Sequence, residues 1–377
     1  MEIITMQIKN LPNSTGGSYI KYMELIEEFL NRGWKVHHIS PKGFTNIHHD
    51  LLVHHEIRDI PITPSFIPFS IQAFTKFLSL QRNTKVDAVV TFSFLEGLLG
   101  VLFKVLNNNI KVIVAIHGDH IAGYLIDSNY ITKVVCSPVL QLVEKIVLRH
   151  SDSIIFVSEY NRSSIMTRAG FTQIDKTKLL YNNIPKRVIA LSKEPPVLFS
   201  QDKKILGYVG SLYAEGKGLT YLISAFHMVK QKIPDSMLVI VGDGPDKDEL
   251  VSLVRELNLY NDVIFTGFKS NPISYMKGFD VLVLPSLHEA CSLVLLEALC
   301  MDIPVLGSRV GGTPEVLKYE ELLFNAADAE AIASKVVYLF QNPVAYQKAV
   351  NLCNIRKSCF LFDWGEEMAR IVQEVVE

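Results

Sequence analysis

Short apolar runs rich in β-branched residues alternate with helix-length amphipathic stretches along the whole chain of 377 residues. In the first half the predicted strands are Ile3–Ile8, Lys35–Ile39, Val86–Thr91, Lys111–Ile116, Ser153–Val157 and Lys178–Tyr181. Between them lie helical patterns such as Tyr19–Asn31, whose apolar residues share one face and which Gly33 follows as a natural helix stop. The pattern indicates parallel strands covered by helices.

The same alternation restarts after Glu194-Pro195-Pro196, which is the best candidate for a linker. Later strands are predicted at Lys204–Val209, Met237–Val241, Val263–Phe265, Val281–Leu284 and Pro304–Leu306, with helices at Thr220–Lys232, Lys247–Leu257 and Ser292–Cys300. Two such series predict an α/β protein of two doubly wound domains, 1–195 and 196–359, with a final helix over about 360–377 packing back on the first. Open parallel sheets bind ligands at the carboxyl ends of their strands, so the predicted site is a cleft between the domains.

Composition favours a well-packed globular protein, because 49% of the residues are hydrophobic and 20% are charged. The N-terminus begins with a strand-like run and shows no secretory signal, and no apolar stretch is long enough to span a membrane. The five cysteines lack metal-ligand spacing and are predicted to be reduced thiols of a cytoplasmic protein.

Charge is distributed unevenly between the two halves. Residues 1–195 contain 21 Lys and Arg against 16 Asp and Glu, whereas residues 196–377 contain 16 against 23. A basic N-terminal half could attract an anionic membrane surface, and simple scatter explains the counts equally well. The phenylalanine-rich segment Ile60–Leu80 leaves two interpretations open: a surface helix lying on lipid, or a helix packing on its own domain, which is favoured.

The strongest chemical pattern is a pair of glutamates, Glu289 and Glu297, that bracket the start of a predicted helix. Backbone N–H groups at the helix N-terminus, here those of Cys291, Ser292, Leu293 and Val294, favour an anion such as a diphosphate. Glu289 would then reach sugar hydroxyls on one side of that diphosphate, and Glu297 ribose hydroxyls on the other. The alternative for an isolated pair is an ordinary strand, loop and helix with one capping acid and one solvent-facing glutamate.

Further fragments occur in order along the chain and accompany this pair. They are Gly16-Gly17, His117-Gly118, Ser158-Glu159-Tyr160-Asn161, Tyr181-Asn182-Asn183-Ile184, Val209-Gly210-Ser211, Lys217-Gly218, Val241-Gly242-Asp243-Gly244-Pro245, Val263-Ile264-Phe265-Thr266-Gly267 and Val310-Gly311-Gly312-Thr313-Pro314-Glu315. With the block Pro285–Leu299 they resemble the retaining nucleotide-sugar glycosyltransferase family 4, whose usual signature is E-x7-E followed by Ala. The resemblance implies a GT-B fold, in which two Rossmann-like domains serve the acceptor and the nucleotide sugar.

The resemblance also implies roles for individual residues. Glu289, Lys217 and His117 are the predicted catalytic residues, with Lys217 neutralising the leaving diphosphate in place of a metal and His117 hydrogen-bonding to the donor sugar. Donor binding is assigned to Gly16, Gly17, Ser211, Gly242, Gly244, Thr266, Gly267, Cys291, Ser292, Leu293, Val294 and Glu297. The chain departs from the family pattern at Ser211, where arginine is usual, and at Cys291-Ser292, where an aromatic residue and glycine are usual.

The implied activity is retaining transfer of a hexose-type sugar to an acceptor hydroxyl, with no cofactor, no metal and no nucleic acid. A UDP-sugar is the favoured donor and a GDP- or ADP-sugar remains open, while the acceptor is a sugar or a lipid-linked glycan precursor. Peripheral contact of the N-terminal domain with the inner face of the cell membrane is also predicted. Rival hypotheses are a non-catalytic transferase-like partner and a UDP-sugar 2-epimerase. His37, His38, His48, His49, His54 and His55 are predicted to be surface residues, because no acidic or cysteine cluster completes a metal site.

Overall fold

The computed structural model describes residues 1–7, 17–41, 47–57, 66–82, 84–118 and 130–377. These residues divide into two compact units, one formed by Met1–Tyr181 with Asp363–Glu377 and the other by Asn182–Phe362. Glu194-Pro195-Pro196, the predicted linker, lies inside the second unit. Each unit is built on a parallel sheet with helices in its crossover connections, so the prediction of two doubly wound α/β domains is confirmed.

The described residues of the first unit form a seven-stranded parallel sheet in the order β3-β2-β1-β4-β5-β6-β7. Its strands are β1 (Glu2–Met6), β2 (Lys35–Pro41), β3 (Leu52–Ile57), β4 (Ala88–Thr91), β5 (Lys111–Ile116), β6 (Ser153–Phe156) and β7 (Thr177–Leu179). Its helices are α1 (Gly17–Asn31), α2 (Phe66–Gln81), α3 (Phe94–Leu106), α4 (Tyr130–His150) and α5 (Glu159–Ala169). Strand β3 was missed from the sequence because two histidines interrupt its apolar pattern.

The second unit contains a six-stranded parallel sheet in the order β10-β9-β8-β11-β12-β13. Its strands are β8 (Lys204–Val209), β9 (Ser236–Val241), β10 (Val263–Phe265), β11 (Val281–Leu284), β12 (Val305–Ser308) and β13 (Leu323–Phe324). Its helices are α6 (Lys186–Leu191), α7 (Ala214–Lys217), α8 (Leu219–Lys232), α9 (Lys247–Glu256), α10 (Ile273–Met276), α11 (Leu293–Ala298), α12 (Thr313–Leu317), α13 (Ala329–Gln341) and α14 (Pro343–Ser358). Two-residue β13 is too short to leave a periodic signal.

The last helix, α15 (Trp364–Val376), belongs to the first unit although the second unit precedes it in the chain. Asp363 caps it by accepting a hydrogen bond from the backbone N–H of Glu366 at 3.1 Å. It packs on α1 so closely that a Cβ added at Gly365 would lie 3.0 Å from the Cβ of Glu28. Trp364 is fully buried there, which ties the chain terminus to the first core.

Helix α3 approaches the first sheet through two glycines. A Cβ added at Gly97 would lie 3.0 Å from methyl groups of Val114 and Val147, and one at Gly100 would lie 3.1 Å from Val112. The strand residues are fully buried, as expected of a parallel sheet covered on both faces. Small residues on α3 therefore set the distance between helix and sheet.

Helix α2 contains the described part of the phenylalanine-rich segment, whose residues 60–65 lie outside the described chain. Phe69, Ala73 and Phe77 are buried in a core cluster, and the ring of Phe77 stacks on Phe103 with centroids 3.8 Å apart. This confirms packing on its own domain for the described part of the segment. Among the helices of the described residues, none combines the length and apolar character needed to cross a membrane.

Two pairs of histidines join β2 to β3, one on each face of the sheet. His37 stacks on His55 with centroids 5.3 Å apart, and their Nδ1 and Nε2 atoms are 3.1 Å apart. On the other face His38 stacks on His54 at 5.4 Å, and Thr5 Oγ1 lies 2.9 Å from His38 Nδ1. A cross-strand ring or a buried hydroxyl thus contacts one nitrogen of each of these rings.

The prediction that these histidines lie on the surface is wrong for His37 and His38, which are 2% and 0% exposed. His48 and His49 are exposed. His54 and His55 are half-buried. Ring pairing across a parallel register cannot be read from one strand at a time, which is why these pairs were missed. Within the described residues no group of three or more His, Cys, Asp or Glu side chains is arranged to hold a metal ion.

Acid should destabilise the first unit through these histidines. Burial, followed by the nearby charges of His37, Lys76 and His54, lowers the pKa of His55 to about 4, and burial holds the pKa of His38 well below its usual value. An unfolded histidine binds a proton below about pH 6.5, so their contribution to stability is present above that pH and is lost as the pH falls toward 4. After allowance for solvent screening, we expect His55 alone to account for about 1 kcal/mol between pH 7 and 5.

Chemical denaturation at a series of pH values measures this effect. His55→Gln should flatten the fall in unfolding free energy below pH 6.5, whereas the exposed His48→Gln control should leave the slope unchanged. Identical slopes for wild type and His55→Gln would contradict the assignment.

Candidate active site

Loops at the carboxyl ends of five neighbouring strands bring most of the predicted site residues of the second unit to one edge of its sheet. These loops contain Ser211 after β8, Gly242 and Gly244 after β9, Thr266 and Gly267 after β10, Glu289 after β11, and Gly311-Gly312 after β12. Because the strands are parallel, their carboxyl ends meet at the same edge, which is where open α/β sheets bind ligands.

Lys217 and Glu289 form an ion pair at this edge. The Nζ atom of Lys217, the last residue of α7, lies 2.9 Å from Oε2 of Glu289, and the side chains are 29% and 15% exposed. Ser286 Oγ lies 3.4 Å from the same carboxylate oxygen. The pair therefore places one positive and one negative group, both reachable from solvent, at the centre of the candidate site.

Glycine allows the two loops that carry this pair to touch. Gly218 has a φ of 64°, and a Cβ there would lie 2.1 Å from the carbonyl oxygen of Pro285. The backbone N–H of Leu287 donates to the carbonyl of Gly216 at 3.0 Å. Only glycine adopts this backbone without strain and avoids the clash, so position 218 fixes where Lys217 is held.

The loop after β12 holds the backbone of Glu289. The N–H of Gly312 donates to the carbonyl of Glu289 at 3.0 Å, and a Cβ added at Gly311 would lie 1.6 Å from that oxygen. The φ of Gly311 is 55°. The diglycine therefore acts on the site through Glu289, a role that the sequence motif alone did not reveal.

Gly242 and Gly244 make a similarly close approach between the loops after β8 and β9. Added Cβ atoms would lie 1.8 Å from the carbonyl of Gly210 and 2.5 Å from that of Leu212. The N–H of Gly242 also donates to the carbonyl of Gly267 at 3.1 Å. Loop packing thus explains these glycines in this structure, and it aligns three of the predicted donor-binding turns.

Tyr208 is a buried residue of β8 that sequence reasoning missed. Its hydroxyl donates to the carbonyl of Ser211 at 2.9 Å and braces the turn in which Ser replaces the usual arginine. Burial, with the negative charge of Glu289 adding to it, raises the pKa of Tyr208, so the phenol remains a proton donor. In the sequence this tyrosine is indistinguishable from any other core strand residue.

The start of α11 is capped by Ser292, whose Oγ accepts from the N–H of Leu295 at 3.3 Å. Glu297 is not the solvent-facing residue of the alternative interpretation, because its side chain is 7% exposed and pairs with Arg187 at 3.4 Å. Asn182 donates through Nδ2 to the carbonyl of Cys291 at 2.8 Å. Arg187 was not anticipated from the sequence, and Asn182 was recognised only as part of a family motif.

His117 follows β5 in the first unit and is half-buried against aromatic rings. Its imidazole stacks on Phe92 with centroids 4.8 Å apart and an interplanar angle of 7°, and Trp364 of α15 lies 5.7 Å away. Gly17 is the first residue of α1. The predicted residue Gly16, and Asp119 and His120 beyond His117, lie outside the described residues.

Four of the five cysteines belong to the second unit. Cys291, Cys300, Cys353 and Cys359 are free thiols in the described residues, and the side chain of Cys136 lies outside the described part of the chain. Burial raises the pKa of Cys353 to about 11, which disfavours the reactive thiolate form.

Comparison with known proteins places these features in a family context. Residues 16–186 match the family described as Glycosyltransferase Family 4, and residues 192–354 match Glycosyl transferases group 1. The chain is 25% identical over 343 residues to N-acetyl-alpha-D-glucosaminyl L-malate synthase of Bacillus anthracis, covering 87% of this chain and 86% of that protein.

Solved structures share the fold over nearly the full length. Sucrose-phosphate synthase from Thermosynechococcus elongatus superposes with a TM-score of 0.83 at 21% identity, covering 99% of this chain and 98% of that one. An Anabaena protein solved in complex with UDP-glucose gives a TM-score of 0.76 at 16% identity, covering 99% and 100%.

Proposed function

The chain belongs to the group 1 glycosyltransferases of family 4, and from that premise we propose that it moves a hexose-type sugar from a nucleoside diphosphate sugar to an acceptor hydroxyl with retention of anomeric configuration. The observation that carries the proposal is the Lys217–Glu289 pair at the carboxyl edge of the second sheet. A cation and a carboxylate 2.9 Å apart suit a ligand that has an anionic leaving group next to a polyhydroxylated ring.

Lys217 is assigned to the leaving diphosphate. As the bond between the sugar C1 and the phosphate oxygen breaks, negative charge accumulates on the diphosphate, and a preorganised cation stabilises that charge. In this proposal the lysine supplies the charge that a metal provides in other transferases, so the reaction needs no metal. Backbone N–H groups of Leu293 and Val294 at the start of α11 add donors to the same phosphates.

Glu289 is assigned to the hydroxyls of the transferred sugar, and His117 is kept as a candidate for a hydrogen bond to a sugar hydroxyl. A carboxylate accepts hydrogen bonds from hydroxyls and favours the positive charge that develops on the sugar ring as C1 loses its leaving group. Lys217 and Ser286 contact the carboxylate, and the Gly312 N–H holds the backbone carbonyl of Glu289.

Retention follows from attack on the face that the leaving group vacates. The acceptor oxygen forms the new bond to C1 as the C1–O bond to the diphosphate breaks, and the acceptor proton passes to a phosphate oxygen of the leaving group. The products are the glycosylated acceptor and a nucleoside diphosphate. The proposal assigns no protein side chain as a covalent nucleophile.

The nucleoside is assigned to the turns after β9 and β10, with its ribose on Glu297. A UDP-sugar is the favoured donor, which agrees with the UDP-glucose named for the Anabaena protein of the same fold, and GDP- and ADP-sugars form the comparison set. Backbone-lined turns such as Gly242–Gly244 read a base through N–H and C=O groups, which every residue type carries.

The acceptor is assigned to cell-surface glycan, polysaccharide or glycolipid synthesis. One supporting relative, 38% identical over 131 residues, is a Campylobacter jejuni enzyme whose name specifies transfer to a diphospho-undecaprenol-linked sugar. We place the reaction in the cytoplasm, at the inner face of the membrane, with the basic first half of the chain toward the lipid.

Acceptor-free hydrolysis of a panel of UDP-, GDP- and ADP-sugars tests the proposal. We expect slow release of one nucleoside diphosphate by the wild type and loss of that release in Glu297→Ala. Once an acceptor is found, the anomeric configuration of the product by NMR tests retention. No release from any donor would favour the non-catalytic transferase-like alternative.

A further inference from the structure

We propose that Arg187 is a positioning residue for ribose recognition, because it holds the carboxylate of Glu297 in the orientation that selects a ribonucleotide over a deoxyribonucleotide donor. The inference rests on the proposed function, which assigns the ribose to Glu297. It adds a third segment, residues 182–187, to the strand-end loops and α11 as part of the donor site.

The first support is the burial of Glu297. Its side chain is 7% exposed, and a carboxylate withdrawn this far from water needs an opposite charge and hydrogen bonds to remain stable. The guanidinium of Arg187 provides that charge through a contact of 3.4 Å between Nη2 and Oε1. Arg187 is itself 45% exposed, so the charge reaches a buried group from the solvent side.

The second support is the way in which the arginine is anchored. The segment before α6 is tied to the rest of the second unit by two buried asparagine side chains: Asn182 donates to the carbonyl of Cys291 at 2.8 Å, and Asn183 to that of Phe362 at 2.7 Å. The N–H of Ile184 donates to the carbonyl of Phe360 at 2.9 Å, and Val188 is fully buried. A chance surface ion pair has no such support.

The contacts of Asn182 and Arg187 reach both ends of the Glu289–Glu297 motif. Asn182 holds the main chain at Cys291, two residues after Glu289, and Arg187 holds the side chain of Glu297, eight residues after it. One short segment thus fixes the loop that carries the sugar-binding carboxylate and the helix that carries the ribose-binding one. Directional support of this kind is what sets the geometry of a hydrogen-bonding group.

Calorimetric titration with UDP, 2′-deoxy-UDP and 3′-deoxy-UDP tests the role of Arg187. The wild type should prefer UDP by about tenfold or more, since a hydrogen bond to a charged group contributes about 1.5–3 kcal/mol. In Arg187→Ala the affinity for UDP should fall about tenfold, while the deoxy forms bind as before, so that the preference falls below about threefold. If the donor panel identifies another base, the same sugar-modified forms of that diphosphate are used.

Controls separate positioning from folding and from bulk charge. Lys193→Ala removes an exposed positive charge from the same region and should retain the wild-type preference. Arg187→Lys keeps the charge and should recover part of the preference. The thermal unfolding midpoint of Arg187→Ala should stay within a few degrees of the wild type, because the ion pair is partly exposed.

Other outcomes overturn the inference in distinguishable ways. If Arg187→Ala lowers the affinity for all three nucleotides equally, raises the affinity for UDP or changes no affinity, Arg187 does not position Glu297 to bind the ribose. A wild type that binds UDP and the deoxy forms equally well would show that Glu297 does not bind the ribose. That result would not contradict the proposed sugar transfer. A wild type that binds none of the uridine, guanosine or adenosine diphosphates would overturn the proposed function itself, and this inference with it.

Discussion

Replacing Lys217 with methionine is expected to lower the turnover of the donor by about 10²- to 10³-fold, the range found when one preorganised donor to a developing anion is removed. Methionine keeps most of the side-chain volume and removes the charge, so the leaving diphosphate loses its cation. The carboxylate of Glu289, 15% exposed, would also lose the partner that lies 2.9 Å from it.

The measurement is kcat and kcat/KM for donor hydrolysis over a range of nucleotide-sugar concentrations that spans KM. A residue that acts mainly on the transition state lowers both values together, whereas one that only binds the donor raises KM. Lys232→Met, which removes an exposed lysine from the end of α8, serves as the matched control and should stay near wild type. A Lys217→Met enzyme within about threefold of wild type would remove this residue from the mechanism.

Gly311→Ala is expected to produce the largest effect of any single methyl group added to the site. Its Cβ would lie 1.6 Å from the carbonyl oxygen of Glu289, so the loop after β12 or the loop after β11 must move. We expect a loss of about 3 kcal/mol of unfolding free energy and at least a tenfold fall in donor turnover, because either shift displaces Glu289 or removes the Gly312 N–H that supports its backbone.

Gly170→Ala is the matched control, because Gly170 has a φ of 62° against 55° for Gly311 and an added Cβ there meets nothing within 4 Å. Gly170→Ala should lower the free energy of unfolding by only about 1 kcal/mol, through backbone strain, and leave donor turnover unchanged. Chemical denaturation and steady-state kinetics on both variants measure the difference. Equal losses of stability and unchanged turnover would show that the close contact does not constrain Glu289.

Much of the fold could be predicted because its signals are local. Strands such as Lys111–Ile116 and Val281–Leu284 are continuous apolar runs that appear in the structure with the predicted bounds. Their burial by helices on both faces makes the pattern strong. Strand β3 was hidden because its histidines are stabilised by partners on β2, and pairing between strands leaves no trace in the sequence of one strand.

Site residues could be predicted where their spacing along the sequence indicates a role. They could not be predicted where the role depends on packing between distant parts of the chain. Glu289 and Glu297 were found through their spacing around a helix start, and Lys217 through its glycine-flanked turn. Gly311 matters because it allows the loop after β12 to lie against the backbone of Glu289. Arg187 contacts Glu297 although 110 positions separate them in the sequence. A single sequence has no means of reporting such contacts, since they exist only once the sheet has brought distant loops together.

In the proposed function, the carboxyl edge of the second sheet binds a nucleoside diphosphate through Lys217. Calorimetric titration of the wild type and of Lys217→Met with UDP, GDP and ADP tests it most directly. We expect one saturable site per chain for one of the three nucleotides and an affinity at least tenfold weaker in the variant. Saturable binding that Lys217→Met leaves unchanged, or no binding of any of the three by the wild type, would contradict it.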